Sequence, residues 1–316
     1  MNILITAIGS MSAQAVIASL RNNYDCFIVG CDTNEKDWLI AARETDFFYK
    51  IAEASDKQFI EQVIMICEKH DIHYIIPLTD PEIDYLSGNQ FLIENQNRKI
   101  CISENKTINI CRDKYLLHQY FIDDKQINVI PTYLNVHANR LLAYETLIAK
   151  PRKGRSSKGQ IKYNNPDECN FDNRKFKNYI FQPFLDGNLF TVDVIRDQES
   201  RVCAIGREEL IRTPHGAGTT VKVSDYRELS ELCTNIATKL KITGVSNFEF
   251  ILHKGTYYLM DVNPRFSAGV GFSIMAGYDI VNSMMEFYLG NTPAQMKSLR
   301  HGIYSKVCGE QFLNPS

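Results

Sequence analysis

Carboxylate and amide side chains recur on two neighbouring β-rich segments that join at a turn containing Lys254 and Gly255. This pattern predicts a β-hairpin. Residues two apart in a strand share a face, so Asp261 and Asn263 should point the same way. Pairing about the turn places Glu249 roughly opposite Asp261. Two carboxylates and an amide are hard oxygen ligands of the kind that Mg²⁺ binds together with substrate phosphates. The spacing therefore predicts a magnesium site on this hairpin.

Arg265 lies one strand step beyond Asn263, where it should reach the same phosphates. Pro264 ends the strand, and Gly269 and Gly271 allow the backbone to approach a ligand closely. The alternative is an ordinary hairpin with a solvated polar face, because charged residues are mostly exposed. The mixture of residue types on this face favours the binding site.

Two lysines and a glycine-containing loop precede the hairpin. Lys114 lies on a helical run that starts at Asn105, and Lys150 ends an apolar strand that starts at Thr146. A lysine in such a strand requires an anionic partner. The loop 152–159 follows at once and offers glycines, serines and cations, which suit a mobile lid over a polyphosphate. A solvated lysine and a flexible surface loop are the alternatives.

From about Asn105 to Gly290, these segments together resemble the ATP-grasp superfamily, in its carbamoyl phosphate synthase large subunit group, as a single ATP-grasp unit. The resemblance implies that the chain binds ATP and Mg²⁺, or Mn²⁺ in its place, with Glu249, Asp261 and Asn263 as the metal ligands. It implies nucleotide contacts from Lys114, Lys150, Gly154, Ser156, Ser157, Gly159, Gln182, Phe184 and Leu185. It implies catalytic roles for Arg265, Lys150, Arg207 and Arg212.

Two further β-rich segments, 179–185 and 189–196, flank a turn and predict another hairpin. The resemblance implies that this hairpin is the hinge that holds adenine. The chain departs from the family pattern twice. Gln182 stands where the hinge residue is often glutamate, and Leu189 occupies the position that usually carries a ribose-binding glutamate. These departures leave nucleotide affinity and the choice of nucleotide open.

Arg207 ends a strand that is predicted from Arg201, and Arg212 follows it. Both resemble the arginines that line the family's pocket for the carboxylate and its acyl phosphate, whereas a solvated charge cluster is the alternative. His215 lies in a glycine-bounded turn, which favours a structural role over a catalytic one.

The elements that position these residues begin with an open parallel sheet, because the first 103 residues alternate apolar segments with helical periodicity. Strands are predicted at Asn2–Ile8, Cys26–Cys31, Phe47–Ile51, Tyr74–Pro77 and Lys99–Ile102. Helices are predicted at Ser12–Arg21, Trp38–Arg43 and Asp56–His70, with another that starts at Asp80 as N-cap and Pro81 at the first position. Later helices are predicted at Tyr226–Leu240 and Ser273–Leu289.

A turn at Gly9 and Ser10 follows the first strand and Asp32 ends the second, so a dinucleotide site is an alternative for this region. The signal is weak because the sequence lacks the Gly-x-Gly-x-x-Gly pattern there. The resemblance instead implies a Rossmann-like domain before the ATP-grasp core, with strand-end loops that meet a second substrate. The residues facing that substrate would be Gly9, Ser10, Thr79, Asp80 and Glu82. A tight turn and a helix cap explain these residues at least equally well.

Composition limits the class of protein. The 316 residues are 44% hydrophobic and 23% charged, which indicates a globular chain with room for two or three packed units. No apolar run approaches the ~18 residues of a membrane span, and a net charge of −2 gives no basic field for nucleic acid. Nine cysteines without a Cys-x-x-Cys pair, and an N-terminal segment without a basic region, predict a reduced cytoplasmic protein without a signal peptide.

We therefore expect an α/β and α+β fold, with a Rossmann-like domain at 1–103, a small lid subdomain at 104–185 and a C-terminal ATP-grasp subdomain at 186–316. The implied chemistry is ATP-dependent ligation of a small-molecule carboxylate to an amine through an acyl phosphate. Nucleic acid and membrane partners are not expected, and a homodimer is one candidate assembly. An ATP-binding regulator that has lost turnover and a dinucleotide-dependent oxidoreductase are the alternatives.

Overall fold

The polypeptide begins with five parallel strands in one open sheet. The computed structural model describes residues 1–135, 138–171, 174–293, 296, 298–307 and 309–310. The first strands are β1 (Asn2–Thr6), β2 (Phe27–Asp32), β3 (Phe47–Lys50), β4 (Tyr74–Pro77) and β5 (Lys99–Ile100). They pair in the order β3-β2-β1-β4-β5, so the loops after β1 and β4 meet at the edge where open α/β sheets bind ligands. The predicted Rossmann-like domain is confirmed.

The helices of this domain differ from the predictions at two places. They are α1 (Ala13–Asn23), α2 (Gln58–Lys69), α3 (Asp80–Gly88) and α4 (Gln90–Ile93). Two short 3-10 turns, Lys36–Trp38 and Ile40–Glu44, replace the predicted helix Trp38–Arg43, because Leu39 between them has an extended backbone. The N-cap of α3 is Thr79 and not Asp80, since the extended residue before the helix is Thr79.

A three-stranded antiparallel sheet forms the small subdomain. Its strands are β6 (Leu147–Pro151), β7 (Ile161–Tyr163) and β8 (Tyr179–Pro183), in the order β7-β6-β8. The helices α5 (Asn105–Arg112), α6 (Lys114–Phe121) and α7 (Ala138–Leu141) precede it. Asp113 caps α6 by accepting hydrogen bonds from the amides of Tyr115 and Leu116, which fixes Lys114 at the first position of that helix.

A six-stranded antiparallel sheet follows, in the order β13-β12-β9-β10-β11-β14. Its strands are β9 (Asn188–Arg196), β10 (Val202–Arg212), β11 (Gly218–Val223), β12 (Gly244–His253), β13 (Thr256–Asn263) and β14 (Gly302–Ser305). The predicted hairpin of 179–185 with 189–196 is wrong, because β8 pairs with β6 whereas β9 pairs with β10 and β12. The link 184–187 therefore connects two different sheets.

The predicted helix Ser273–Leu289 is two helices. Together with α8 (Arg227–Lys239), the C-terminal part contains α9 (Val270–Met275) and α10 (Ile280–Tyr288). Gly277 has a φ of 109°, a conformation that glycine adopts readily and that ends the first helix. Asp279 then starts α10 by accepting hydrogen bonds from the amides of the second and third helical residues, 281 and 282.

The parallel sheet and the six-stranded sheet share one buried apolar cluster. Ile5 of β1 belongs to the same cluster as Ile195 of β9 and Met285 of α10. The hydroxyl of Ser19 on α1 also donates to Asp279 at 2.7 Å. This shared core holds the parallel sheet against the larger sheet.

The described residues contain free cysteines and short helices. The eight described cysteines are free thiols, and Cys308 lies outside the described residues. Every helix in the described part of the chain is too short or too polar to cross a bilayer. The domain boundaries at 103 and 185 stay a prediction.

Candidate functional site

The β12–β13 hairpin brings the three predicted metal ligands together. Glu249 pairs with Asp261 across the two strands, and Nδ2 of Asn263 donates to Oε1 of Glu249 at 3.3 Å. Oδ1 of Asp261 lies 2.8 Å from Nζ of Lys114, which comes from the start of α6. The two carboxylates and the amide side chain are thus adjacent, and carboxylate and amide oxygens are ligands that suit Mg²⁺.

The charges around Glu249 and Lys150 favour bound counter-ions. Partial burial, and then the charge of Asp261, raise the pKa of Glu249, while Arg212 lowers it. Lys150 is 7% exposed; burial lowers its pKa, Asp261 partly opposes this, and Lys114 adds to the lowering. A cation beside the carboxylates would favour the charged form of Glu249, and an anion beside the lysines would favour the charged form of Lys150. The residues therefore fit a metal ion and a polyphosphate bound side by side.

The loop 152–159 has an uncommon backbone conformation. Ser156 and Ser157 have φ angles of 53° and 55°, in the left-handed region that residues with side chains seldom adopt. The carbonyl of Gly154 accepts a hydrogen bond from Nζ of Lys114 at 3.2 Å. Strained backbone of this kind is common in segments that clamp ligands or switch conformation, which is consistent with the predicted lid.

Gln182 has an unpaired acceptor at the hinge. Its Nε2 donates to Oγ1 of Thr132 at 2.8 Å, and that hydroxyl donates to the carbonyl of Ile130 at 2.8 Å. Because the hydroxyl proton is already in use, the amide nitrogen of Gln182 must face Thr132. Its Oε1 is buried and has no hydrogen-bond partner among the described residues. The backbone amide of Phe184, a residue predicted to contact adenine, donates to the carbonyl of Thr146 at 3.0 Å. This amide is therefore not free to donate to a ligand.

A cavity of about 300 Å³ joins these groups, and it is called the nucleotide cavity below. Its lining includes most of the predicted site residues, namely Lys114, Lys150, Gly154, Ser156, Ser157, Gln182, Phe184, Leu185, Arg212, Glu249, Asp261, Asn263 and Arg265. The predicted residues Gly159 and Arg207 are not part of this lining. Leu189, the apolar residue predicted to occupy the position of a ribose-binding glutamate, lines the cavity as well.

Arg265 is held by a carboxylate from the N-terminal domain, a contact that sequence reasoning missed. Asp80, at the start of α3, accepts hydrogen bonds from Nε of Arg265 at 2.8 Å and from Nη2 at 3.2 Å. Arg112 lies 3.6 Å from the same carboxylate. Burial acts to raise the pKa of Asp80, but the two guanidinium groups outweigh it and lower the pKa to about 2. Asp80 and Arg265 are 185 positions apart, so no local pattern links them.

The guanidinium group of Arg207 is buried and is already bound by other side chains of the protein. It is 1% exposed, and it donates to Asp193 at 2.7 Å and to two serine hydroxyls. Arg212 lies instead between two carboxylates, at 3.4 Å from Glu209 and 3.4 Å from Glu249. Catalytic roles for both arginines stay predictions, and the enclosure of Arg207 favours Arg212 as the one that meets a ligand.

A second cavity, of about 340 Å³, is lined by loops of the parallel sheet and by the six-stranded sheet. His215 and Arg265 line both cavities, which are therefore adjacent. Of the residues predicted to face a second substrate, the lining includes Ser10, Thr79 and Asp80 and lacks Gly9 and Glu82. The amide of Gly9 donates to Asp32 at 2.8 Å, so the carboxylate considered for a dinucleotide ribose is already bound.

Comparison with known proteins matches two parts of the chain to families. Residues 175–308 match the family described as ATP-grasp in the biosynthetic pathway with Ter operon, and residues 3–100 match the PylC-like N-terminal domain. The carbamoyl phosphate synthase large chain of Clostridium beijerinckii is 29% identical over 133 residues, which are 39% of this chain and 12% of that protein. The large chain of Caldanaerobacter subterraneus is 28% identical over 123 residues, which are 36% of this chain and 12% of that protein. The match thus spans about an eighth of these relatives.

Solved structures share the fold at low sequence identity. A biotin carboxylase from Campylobacter jejuni, in a β-γ-ATP complex, has a TM-score of 0.75 at 17% identity, over 95% of this chain and 74% of that one. N5-carboxyaminoimidazole synthetase from Staphylococcus aureus, complexed with ADP, has a TM-score of 0.76 at 16% identity, over 97% and 82%. L-amino acid ligase from Bacillus licheniformis has a TM-score of 0.71 at 15% identity, over 90% and 73%. The similarity covers both the parallel sheet and the later domains.

Proposed function

We propose that this chain is an ATP-dependent ligase that joins a carboxylate to an amine through an acyl phosphate. The match of residues 175–308 to an ATP-grasp family and the fold shared with N5-carboxyaminoimidazole synthetase support this proposal. ADP and phosphate are the other products. The observation that carries this proposal is the convergence of Lys114, Lys150, Arg265 and the two hairpin carboxylates on one cavity that also reaches the hinge.

The nucleotide cavity offers a partner for each part of ATP. The unpaired Oε1 of Gln182 can accept a hydrogen bond from the adenine amino group. Lys114 and Lys150 can bind the phosphates, and the loop 152–159 can close over them. Mg²⁺ would supply positive charge beside the phosphate oxygens, held by Glu249, Asp261 and Asn263.

Phosphoryl transfer depends on charge neutralisation and alignment more than on covalent help from the protein. A substrate carboxylate attacks the γ-phosphorus and ADP leaves. The neutral amine then attacks the acyl carbon, phosphate leaves, and the nitrogen gives up one proton, which the departing phosphate can accept. Arg265 can hold two oxygens of the transferring group through its forked guanidinium, and Asp80 fixes the orientation of that fork. The second cavity, which shares Arg265 and His215 with the first, is the place for the carboxylate and the amine.

Release of ADP tests this function. A panel of small carboxylates and amines is added with MgATP, and ADP should appear only when a suitable carboxylate is present. Binding alone is measured by thermal unfolding, since a ligand at about 100 times its dissociation constant stabilises the folded state by roughly 2.7 kcal/mol. The double variant Glu249→Ala, Asp261→Ala should lose the Mg²⁺-dependent part of this shift. Glu199→Ala is the control, because its exposed side chain pairs with Arg201 away from the site.

An equal Mg²⁺-dependent shift in the double variant would remove the metal assignment.

A second candidate function is an ATP-binding regulator without turnover, which the apolar Leu189 in the nucleotide cavity favours. Such a protein would gain stability from MgATP but would release no ADP with any member of the panel. A cytoplasmic location and a homodimer stay predictions.

A further inference from the structure

The second cavity contains a buried carboxylate whose hydrogen bonding is incomplete. The side chain of Glu209, on β10, is 4% exposed and lines this cavity. Its Oε1 accepts a hydrogen bond from the hydroxyl of Thr191 at 2.6 Å. Its Oε2 is buried and accepts no hydrogen bond from the described part of the chain, although Nε of Arg212 lies 3.4 Å from it. Leaving a charged oxygen buried without a donor is costly, so this oxygen is suited to a donor from a ligand.

The backbone leaves room for this carboxylate. Gly218 starts β11 beside Glu209, and a Cβ at Gly218 would lie 2.2 Å from Oε2 of Glu209. A side chain at position 218 would therefore displace the carboxylate, which only glycine accommodates. The site is thus formed by three adjacent strands, with Thr191 on β9 fixing one oxygen of Glu209 and Gly218 on β11 making space for the other.

The charge of Glu209 is weakly compensated compared with its neighbours. Arg207 and Arg265, which line the same cavity, are each held by an aspartate, at 2.7 Å and 2.8 Å. Glu209 shares the guanidinium of Arg212 with Glu249, at 3.4 Å from each carboxylate. Arg212 also lines the nucleotide cavity, where ATP phosphates would compete for its charge. Bound nucleotide would therefore leave Glu209 in need of another cation.

We propose that the second cavity binds a substrate with a primary ammonium group, and that Glu209 is its counter-ion. The inference rests on the ligase function proposed above and names the chemical class of one substrate. An ammonium group donates three hydrogen bonds from a compact charge, and a charge-assisted hydrogen bond to Oε2 of Glu209 is stronger than a neutral one. The ammonium belongs either to an amino acid whose carboxylate is phosphorylated or to the amine that attacks the acyl phosphate.

The test compares ammonium-bearing compounds with neutral analogues. The panel contains α-amino acids and simple primary amines, each matched with a compound in which a hydroxyl replaces the amino group. ADP release should require the amino form. Glu209→Gln should raise the KM of that compound by roughly 100-fold, the cost of removing one partner of a buried charge pair. It should not raise the KM of ATP, because it leaves Arg212 free to bind the phosphates. Glu208→Gln is the matched control, since its carboxylate binds Asn188 at an exposed position.

Hydroxylamine distinguishes the two sources of the ammonium group. With hydroxylamine as the nucleophile, a persistent requirement for the amino form places the ammonium on the phosphorylated carboxylate, and a lost requirement places it on the natural amine. Equal use of the hydroxyl analogues, or an unchanged KM in Glu209→Gln, overturns the inference. A lower kcat with unchanged KM overturns it as well, because Glu209 would then only steady Arg212.

Direct binding separates failure of this inference from failure of the ligase function. If MgATP stabilises the protein but no compound elicits ADP, the ligase function fails, and melting shifts with the same panel and MgATP still report on the cavity. Amino compounds should then stabilise the parent and not Glu209→Gln, and the absence of any such shift overturns the inference. Should Glu209→Gln not fold, Glu209→Asp, which keeps the charge, should retain the preference for amino compounds with a raised KM.

Discussion

Replacing Asp80 by asparagine removes the carboxylate that joins α3 to Arg265, and it should lower the stability of the fold at neutral pH. Asp80 is 2% exposed, and it contacts Arg265 at 2.8 Å and Arg112 at 3.6 Å. Burial alone would raise its pKa, but the two guanidinium groups lower it from an ordinary 3.8 to about 2. The ionised form is therefore strongly favoured in the folded protein.

The magnitude follows from this pKa difference. A shift of nearly two pKa units corresponds to about 2 kcal/mol of folding free energy at pH 7. Removing one partner also leaves the buried Arg112 less well compensated, so we expect a total loss of about 3 kcal/mol. Because the folded-state pKa of Asp80 is lowered, its contribution is fully present above about pH 4 and is lost as the pH falls through 2. At pH 3 the part that depends on pKa should be roughly half of its neutral value.

Urea unfolding at pH 7, 4 and 3 measures this effect in the parent and in Asp80→Asn. The gap in unfolding free energy should be largest at pH 7, similar at pH 4 and smaller at pH 3. Asp84→Asn is the matched control: Asp84 also binds Arg112, at 2.9 Å, but its side chain is 36% exposed, so we expect a loss of about 1 kcal/mol or less. Equal stability of Asp80→Asn and the parent at pH 7, or a gap that does not change down to pH 3, would refute the reasoning.

Three further predictions concern turnover, the lid and pH. Arg265→Lys should keep the fold and most ATP binding but cut acyl-phosphate formation, trapped with hydroxylamine, by roughly 100-fold, because lysine lacks the forked guanidinium; trapping at the parent rate would make Arg265 structural. Proteolysis within 152–159 should slow when MgATP is added, since exposed loop tips are preferred cleavage sites, and unchanged cleavage would argue against a lid. Burial raises the pKa of Glu82 from 4.5 to about 7, against the hydroxyls of two threonines. A raised pKa means that stability is lost as the pH rises from 4.5 through 7, so the parent should lose about 2 kcal/mol relative to Glu82→Gln between pH 5 and pH 8. Melting curves at both pH values check this, and parallel pH dependence of the two proteins would count against it.

Local patterns explain why the hairpin could be predicted from the sequence. The turn at Gly255 sets the register, and the two-residue period sets the face. Continued regularly from the turn, this register would pair Glu249 with Met260. A register shift between Glu249 and Phe250 brings Asp261 opposite Glu249 instead, so the local pattern predicts this pairing only to within one residue. The parallel sheet follows in the same way from apolar segments that alternate with helices. The chemical roles of the hairpin residues stay predictions.

Contacts between distant segments could not be predicted. The strands β8 and β9 flank a short turn in the sequence, as the strands of a hairpin do. Each nevertheless pairs with strands from other parts of the chain. The sequence predicts that Asp80 caps a helix. Only the packing of two domains brings this carboxylate to Arg265. The sequence supports no prediction for Glu209, because its environment depends on Thr191 from one neighbouring strand and Gly218 from the other.

Transfer of oxygen from the carboxylate substrate to the released phosphate tests the acyl-phosphate mechanism most directly. A carboxylate that elicits ADP release is labelled with ¹⁸O in both oxygens and incubated with MgATP and the amine, and the phosphate is analysed by mass spectrometry. We predict one labelled oxygen in each phosphate released, with ADP as the nucleotide product. Unlabelled phosphate, or AMP with pyrophosphate, would contradict ligation through an acyl phosphate.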